Sequence, residues 1–273
     1  MSRRLDGHTV VVTGASGGIG AAAARRLAGL GATVCLLARR DDELESVADA
    51  IRRAGGVAHT YVVDLSDPDD TDAVAARLLA DHPRIDTLVN NAARSIRRPI
   101  TASLERMHDY ERTMAINYFG AVRLTLALVP RFLEQGRGHV VISSSMSTQL
   151  PIPLFSAYLA SKSALESFTR SLVAELGSDG VSATTVYFPM VRTEMSGRTD
   201  IYQAMPMLSA ERAAGWLVRA VVARPTRVTS LQGAAAEIGM ATLPGTVTAG
   251  LRPVFRHMDR VLTRRSGVRP DAP

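Results

Sequence analysis

The amino-acid sequence predicts an α/β fold: a single doubly wound domain with a mostly parallel sheet of seven strands and a C-terminal helical extension. Two features carry this prediction. Short β-branched and aliphatic runs alternate with longer helix-forming segments from residue 9 to residue 230. The first run ends at a glycine-rich turn, residues 13–20, that opens an alanine-rich segment. Because no proline- or serine-rich linker interrupts the series, we assign residues 1–250 to one domain.

The predicted elements follow one another as strand, helix, strand. The strands are Thr9–Val12, Thr33–Leu37, His59–Val63, Thr87–Val89, His139–Ile142, Ser182–Tyr187 and Arg227–Ser230. The first helix ends near Leu30, where Gly31 stops it, and the others cover about 41–54, 69–80, 104–133, 155–176 and 209–223. A strand–turn–helix–strand unit of this kind pairs its two strands in parallel.

The segment after the sixth strand has two interpretations. Residues 188–208 contain four methionines among polar residues, namely Met190, Met195, Met205 and Met207. Methionine fills adaptable apolar surfaces, so the segment is either a lid over an apolar substrate or a loosely packed helical connection.

The C-terminal segment, residues 251–273, is predicted to be an amphipathic basic helix and tail. Arginines recur every four residues on one face, at Arg252, Arg256, Arg260 and Arg264. Such a helix either makes weak contact with an anionic membrane surface or a partner, or it packs its apolar face on the core of its own domain.

Composition excludes several classes of protein. The net charge of +6 comes from dispersed arginines and only 5% of residues are aromatic, so we expect no nucleic-acid partner. The single cysteine, Cys35, lies in an apolar run, which predicts an inert buried thiol and excludes a cysteine-rich metal site. Residues 1–4 lead into a polar segment without a signal-peptide core, and no run of about 18 uncharged apolar residues follows. We therefore expect a cytoplasmic protein without a membrane span or a metal.

Ser145, Tyr158 and Lys162 are the candidate catalytic residues. Tyr158 and Lys162 are four residues apart on a predicted helix, so their side chains project from one face. A nearby ammonium lowers the pKa of a phenol from its usual value near ~10 toward the range of general acid–base chemistry. The alternative is a surface Tyr and Lys on a solvated helix, but Lys162 is the only lysine in the chain. A compact ammonium used once suggests a task that arginine cannot perform.

The glycine-rich turn predicts a dinucleotide site. Gly14, Gly18 and Gly20 let the backbone turn tightly and approach a pyrophosphate at the N-terminus of the following helix. An acidic residue at the end of the second strand would bind the adenosine ribose of NAD, but Ala38 stands there, followed by Arg39 and Arg40. Arginine can bind a 2′-phosphate, so the predicted cofactor is NADPH/NADP; a plain surface arginine pair is the alternative.

Five motifs occur together in the order typical of the classical short-chain dehydrogenase/reductase family, which the chain resembles from about His8 to Ser230. They are Thr13-Gly14-(x)3-Gly18-x-Gly20, Asn90-Asn91-Ala92, Asn117, Ser145 and Tyr158-(x)3-Lys162. The resemblance implies a Rossmann fold and a homo-oligomer, dimer or tetramer, assembled through the long helices around Asn117 and Tyr158.

The same resemblance implies a role for each site residue. Tyr158 is the general acid toward a carbonyl oxygen, and Ser145, which the family's spacing selects over Ser143 and Ser144, polarises or orients that oxygen. Lys162 lowers the Tyr158 pKa and holds the nicotinamide ribose hydroxyls, and Asn117 positions a water in a proton relay to Lys162. The implied cofactor contacts are Gly14, Ser16, Gly18, Ile19, Gly20, Arg39, Arg40, Asp64, Leu65, Asn91, Ala92, Tyr158, Lys162, Val191 and Thr193.

Two positions depart from the family pattern. Ala93 stands where the family usually has glycine, which alters the backbone beside the nicotinamide. The usual Pro-Gly after the sixth strand reads Pro189-Met190, so the pocket wall is changed, although Val191 and Thr193 still fall where the family holds the carboxamide.

A narrower resemblance links the chain to the subgroup that contains fatty acyl-thioester reductases. It covers residues 94–98, 108–114, 117–120 and 191–193, and it implies a long apolar acyl substrate. The cluster of Arg94, Arg97 and Arg98 could meet a phosphopantetheine or coenzyme A phosphate, or form a solvated loop.

The sequence therefore predicts an NADPH-dependent oxidoreductase that reduces a ketone or aldehyde on a hydrophobic substrate, with Tyr158 as general acid. The alternative within the enzyme class is reduction of an acyl-CoA or acyl-carrier thioester to an aldehyde. A hypothesis from another class is a non-redox dinucleotide-binding scaffold.

Overall fold

The computed structural model describes residues 4–150, 152–193, 207–253 and 256. Its strands are β1 (Thr9–Thr13), β2 (Thr33–Ala38), β3 (Val57–Val62), β4 (Thr87–Asn90), β5 (Gly138–Ser145), β6 (Val181–Phe188), β7 (Val191–Arg192), β8 (Leu208–Ser209) and β9 (Arg227–Val228). Seven of them form one parallel sheet in the order β3-β2-β1-β4-β5-β6-β9, and β7 and β8 pair separately. The predicted doubly wound sheet of seven strands is confirmed.

The helices lie between the strands. They are α1 (Gly18–Gly29), α2 (Asp41–Arg53), α3 (Pro68–Asp81), α4 (Met107–Met114), α5 (Ala121–Glu134), α6 (Met146–Gln149), α7 (Ser156–Leu176), α8 (Ala210–Ala223) and α9 (Leu231–Thr242). The segment Ala115–Gly120, between α4 and α5, is π-helical, and 3-10 turns occupy Ile100–Ala102 and Gly177–Asp179. Residues 244–253 form a further helical run.

Two apolar layers cover the two faces of the sheet. On one face, α1, α2 and α8 pack through side chains such as Leu27, Leu44 and Leu217, all fully buried. On the other face, α3, α5 and α7 pack through residues such as Leu78 and Leu124. Because both faces are covered, the strands are near-continuous apolar runs rather than alternating ones, as parallel strands require.

The structure differs from the predicted elements at several ends. The long helix begins at Met107 rather than Leu104 and changes to a π-helix in its middle. β9 ends at Val228 rather than Ser230, because the Ser230 hydroxyl accepts a hydrogen bond from Gly233 N at 3.1 Å and so caps α9. Sequence analysis missed α9 itself, because its residues are apolar on nearly all sides and show no helical alternation with polar ones.

Within the described residues one helix, Met107–Glu134, has the length and apolar composition of a membrane span. Its inner face carries Leu124, Leu128 and Phe132, which are fully buried against the sheet.

Cys35 has the environment that the sequence predicts. The thiol is fully buried, and burial, together with the charge of Asp81, raises its pKa to about 12. It contacts His82 Nε2 at 3.1 Å. In the part of the chain that the structure describes, no group of three or more His, Cys, Asp or Glu side chains could hold a metal ion.

Two sequence predictions fall largely outside the described residues. The methionine-rich segment is described only at its ends, where Val191–Arg192 pairs with Leu208–Ser209; Met195 and Met205 lie outside. Most of the amphipathic C-terminal segment also lies outside, and the helical run 244–253 spans the proposed boundary at residue 250.

Candidate active site

The predicted site residues lie along the carboxyl-terminal edge of the sheet. Thr13 ends β1, Asn90 ends β4 and Ser145 ends β5. The strand order reverses direction between β1 and β4, since β2 and β3 extend to one side and β5 and β6 to the other. Ligands of doubly wound sheets bind in the crevice at such a switch point.

The glycine-rich turn is built so that the backbone of β1 approaches that of β4. Gly14 has φ +66°, and a Cβ there would lie 2.9 Å from Ala92 Cα. A Cβ on Gly20 would lie 2.3 Å from Gly14 O and 2.7 Å from Asn91 Nδ2. A side chain at either position would therefore push the turn open.

The N-terminus of α1 is suited to an anion. Its N-cap is Gly17, no side chain caps it and its first turn holds no acidic residue, so the main-chain N–H groups face outward with the positive end of the helix dipole. Two side chains lie close to Gly17 and Gly18. Thr193 Cγ2 is 3.4 Å from the position that a Cβ of Gly18 would occupy, and Arg40 Nη2 is 3.8 Å from the position that a Cβ of Gly17 would occupy. Ser16 lies in the turn and Ile19 in the first helical turn.

The end of β2 carries two half-exposed arginines. Arg39 lies 3.5 Å from Asp64, and Arg40 lies 2.7 Å from Glu43. Partial burial opposes ionisation of Asp64, but hydrogen bonds from Ser66 and Arg39 lower its pKa below the usual range. No carboxylate occupies the last position of β2, which is Ala38. Leu65, next to Asp64, is buried against Gly120.

Thr13 joins the glycine turn to the strand beside it. Its hydroxyl accepts hydrogen bonds from the main-chain N–H groups of Asn91 and Ala92, both at 2.9 Å. The Asn91 side chain donates to Thr13 O at 3.0 Å and accepts from Ser143 at 3.2 Å. Asn91 and Ala92 are thus fixed beside the turn, where the sequence places them.

The three serines at the end of β5 have different partners. Ser143 donates to Asn91, and Ser144 donates to the carboxylate of Glu166. Ser145 Oγ instead accepts from Ser147 N at 3.1 Å, so its own proton can be donated to a substrate oxygen. The hydrogen bonds therefore favour the same serine that the spacing selects.

Tyr158 and Lys162 lie one turn apart on α7, and their pKa values contradict one sequence expectation. Burial and the negative charge of Glu166 raise the pKa of Tyr158 to about 12, instead of the lowered value expected from Lys162. Burial lowers the pKa of Lys162 to about 8, and the charge of Glu166 partly opposes that shift. The expectation is wrong because it omitted the desolvation of both groups and the carboxylate beside them.

Asn117 is fully buried in the π-helical segment. Its amide oxygen accepts from Arg94 N at 2.7 Å, and its nitrogen donates to Arg94 O and to Ser161 Oγ, both at 2.9 Å. The side chain therefore ties the loop after β4 to α7, next to Lys162. The water relay expected of Asn117 remains a prediction.

Arginines converge on a buried carboxylate beside this loop. Asp109 accepts hydrogen bonds from Arg106 at 2.9 Å, Arg98 at 3.2 Å and Arg112 at 2.7 Å. The hydrogen bonds from Arg106, above all, and from Arg112 hold the pKa of Asp109 far below the usual range, although burial opposes this shift. Three positive charges face one negative charge, so the cluster is cationic. Arg98 N also donates to Leu154 O at 2.7 Å, and Leu154 precedes Tyr158 by four residues in the sequence.

Glu166 is not among the site residues that the sequence predicts. The residue is 8% exposed and accepts hydrogen bonds from Ser144, Thr148 and Tyr187. The available signal was its spacing, since Tyr158, Lys162 and Glu166 recur every four residues and share one face of α7.

The chain matches the family model of short-chain dehydrogenases over residues 8–203. It belongs to the short-chain dehydrogenase family. The chain is therefore an oxidoreductase of that family, and the family expected from the five motifs is confirmed.

Curated members of the family include close relatives. An uncharacterized oxidoreductase of Mycobacterium tuberculosis is 46% identical over 243 residues, which cover 88% of this chain and 71% of the relative. A fatty acyl-CoA reductase of Acinetobacter baylyi is 44% identical over 240 residues, covering 88% and 81%. A fatty acyl-CoA reductase of M. tuberculosis is 45% identical over 225 residues, covering 82% and 76%.

Solved structures of short-chain dehydrogenases share the fold. A putative NAD(P)-dependent gluconate 5-dehydrogenase from Beutenbergia cavernae with bound NADP has a TM-score of 0.77 and 30% identity, over 85% of this chain and 98% of that one. A 3-oxoacyl (acyl-carrier-protein) reductase from Agrobacterium tumefaciens with NADP bound has a TM-score of 0.72 and 28% identity, over 80% and 88%.

Proposed function

We propose that this short-chain dehydrogenase uses NADPH to reduce the carbonyl group of a hydrophobic ketone or aldehyde. The observation that carries the proposal is the position of Ser145, Tyr158 and Lys162 at the same sheet edge as the glycine turn and the uncapped N-terminus of α1. Proton donors and an anion site thus border one crevice, as hydride transfer from a phosphorylated dinucleotide requires.

The choice of NADPH rests on the end of β2. Arg39 and Arg40 offer guanidinium groups there, and the last position of β2, where an acidic residue would bind the ribose of NAD, is Ala38. Arg40 also reaches to within 3.8 Å of the Cβ position of Gly17, over the turn that would hold the pyrophosphate. Two structural neighbours that carry NADP support the same cofactor.

When bound, NADPH supplies the hydride. The residues of this chain then stabilise the negative charge that develops on the carbonyl oxygen. Ser145 donates a hydrogen bond to that oxygen, and Tyr158 transfers its proton to it. A phenol with a pKa of about 12 is fully protonated at neutral pH, yet it is more acidic than an aliphatic alcohol, so proton donation is favourable. Lys162 adds a positive charge on the same helix face and would hold the nicotinamide ribose.

Reduction of an acyl thioester to an aldehyde is the second candidate. Two observations favour it: relatives 44% and 45% identical are fatty acyl-CoA reductases, and a cationic arginine cluster surrounds Asp109 near Leu154. Its charge is suited to the phosphates of coenzyme A or of an acyl carrier. The chemistry needs no cysteine, because hydride addition to the thioester carbonyl gives a hemithioacetal that collapses to aldehyde and free thiol.

One assay tests both candidates. NADPH oxidation is followed with aldehydes, ketones and acyl-CoA esters of increasing chain length, and released CoA is measured with a thiol reagent. Turnover of long aldehydes or ketones supports the leading proposal, and NADPH loss with stoichiometric CoA release supports the second. NADPH binding without oxidation across the whole panel would overturn both and favour the non-redox scaffold.

We also propose that the enzyme is a cytoplasmic homo-oligomer. Exposed apolar side chains on α5 and α7, namely Leu126, Leu133 and Val173, support a packing face on these helices. Light scattering coupled to size-exclusion chromatography tests it: a monomer at micromolar concentration would contradict the proposal.

A further inference from the structure

A buried carboxylate lies beside the candidate catalytic groups and has no part in the reaction as proposed. Glu166 is one helical turn beyond Lys162 and two turns beyond Tyr158 on the same face of α7. Only 8% of the residue is exposed. Glutamate is rarely buried to this degree unless other groups satisfy its charge and its hydrogen bonds.

The hydrogen bonds of Glu166 connect three elements of the site. One carboxylate oxygen accepts from Ser144, at the end of β5, and from Thr148 in α6 at 2.7 Å. The other accepts from Tyr187 in β6 at 3.3 Å. Thr148 Oγ1 also lies 2.8 Å from the main-chain oxygen of Ser145. Glu166 therefore holds the turn on both sides of Ser145 against the helix that carries Tyr158.

The charge of Glu166 faces ionisable groups on every element around it. These are Tyr158 and Lys162 on α7, Tyr187 on β6, and Arg227 on β9, which itself pairs with Glu237 on α9. Lys162 is the only one of these cations that is fully buried. A buried ammonium loses its proton unless a negative charge compensates it, and the carboxylate one turn away supplies that charge.

We propose that Glu166 is a positioning residue for the reduction: it fixes the Ser145 turn relative to Tyr158, and its charge keeps Lys162 protonated. This inference rests on the proposed function for its catalytic consequence. Its electrostatic part concerns the protein alone.

The electrostatic part can be measured without turnover, because Lys162 is the only lysine. Protein labelled with ζ-15N lysine gives one side-chain nitrogen signal, whose pH titration reports the Lys162 pKa; the wild-type midpoint is expected near 8. Glu166→Gln should lower the midpoint by about one pH unit, because it removes the compensating charge and keeps the size of the side chain. Thr148→Val should leave the Lys162 midpoint unchanged, and so should Glu175→Gln, which lies at an exposed position of α7. An unchanged midpoint in Glu166→Gln would overturn the electrostatic role.

The positioning part is measured as turnover. At about pH 6, where Lys162 stays largely protonated in both variants, Glu166→Gln and Thr148→Val should each lower kcat about tenfold with the NADPH dissociation constant unchanged, since a misplaced Ser145 weakens only interactions of the reacting carbonyl. Glu175→Gln should retain wild-type kcat. Wild-type kcat in both Glu166→Gln and Thr148→Val would overturn the positioning role. An inactive wild-type enzyme would count against the proposed function, and the lysine titration would still decide the role of Glu166.

Discussion

Arg39→Ala tests the cofactor choice, because it should weaken the binding of NADPH and leave that of NADH unchanged. NADH lacks the 2′-phosphate, so a side chain that recognises this group contributes nothing to its affinity. Arg39 is suited to the role because its side chain is 61% exposed at the end of β2 and can swing toward a ligand.

The size of the effect follows from the partners of Arg39. A hydrogen bond to a charged group contributes about 1.5–3 kcal/mol. To form a hydrogen bond to the 2′-phosphate, Arg39 must give up or share its ion pair with Asp64, which has a distance of 3.5 Å. An exposed ion pair of this type contributes about 0–1 kcal/mol. The net contribution is then about 0.5–3 kcal/mol, so NADPH should bind about 2- to 160-fold more weakly to Arg39→Ala.

Fluorescence titration of both dinucleotides against wild type, Arg39→Ala and Arg53→Ala provides the measurement. Arg53 is an exposed arginine at the far end of α2, so its removal changes net charge equally without touching the site. The NADPH affinity of the wild type should also fall as salt rises, because the contact is exposed to solvent. Equal losses for NADPH and NADH, or equal effects of the two variants, would refute the assignment of the 2′-phosphate site.

Three further predictions concern pH, the glycine turn and the C-terminal segment. Because the pKa of Tyr158 is about 12, the single-turnover rate of carbonyl reduction should vary less than about twofold between pH 6 and 8. The rate of alcohol oxidation, which needs the phenolate, should rise about tenfold per pH unit. A tenfold fall of the reduction rate per pH unit would contradict this prediction. Gly20→Ala should weaken NADPH binding by more than about tenfold, because the added Cβ would collide with Gly14 O. Gly29→Ala should leave the affinity unchanged, because a Cβ there meets nothing within 4 Å. Equal NADPH affinities of the two variants would argue against a dinucleotide site at the glycine turn. If the basic segment contacts membranes, the full chain should sediment with anionic vesicles and a truncation after Gly250 should not; no sedimentation of the full chain rules the contact out.

Local patterns in the sequence were sufficient to predict the sheet and where most of the candidate site residues lie along it. The short apolar runs predict strands that end at Val12, Val89 and Ile142, one to three residues before the observed ends, and the parallel pairing of these strands brings their ends to one edge. The four-residue spacing places Tyr158 and Lys162 on one face of α7 in the same way. These predictions succeed because each depends on neighbours in the chain.

The features that the sequence did not reveal depend on tertiary packing. The pKa of Tyr158 is set by burial and by Glu166, and neither can be read from a Tyr-x-x-x-Lys spacing. The partners of Ser143 and Ser144 come from β4 and α7, which are distant in sequence. α9 was missed because its apolar residues have no polar face to reveal a helical period.

Isotope transfer tests the central claim most directly. NADPH deuterated at both C4 positions of the nicotinamide is incubated with the enzyme and the best aldehyde of the panel, and the alcohol is analysed by mass spectrometry. We predict one deuterium on the former carbonyl carbon, with the rate lowered by about 10²- to 10⁴-fold in Tyr158→Phe, which keeps the ring and removes only the proton donor. Alcohol without deuterium, or full turnover by Tyr158→Phe, would contradict the account.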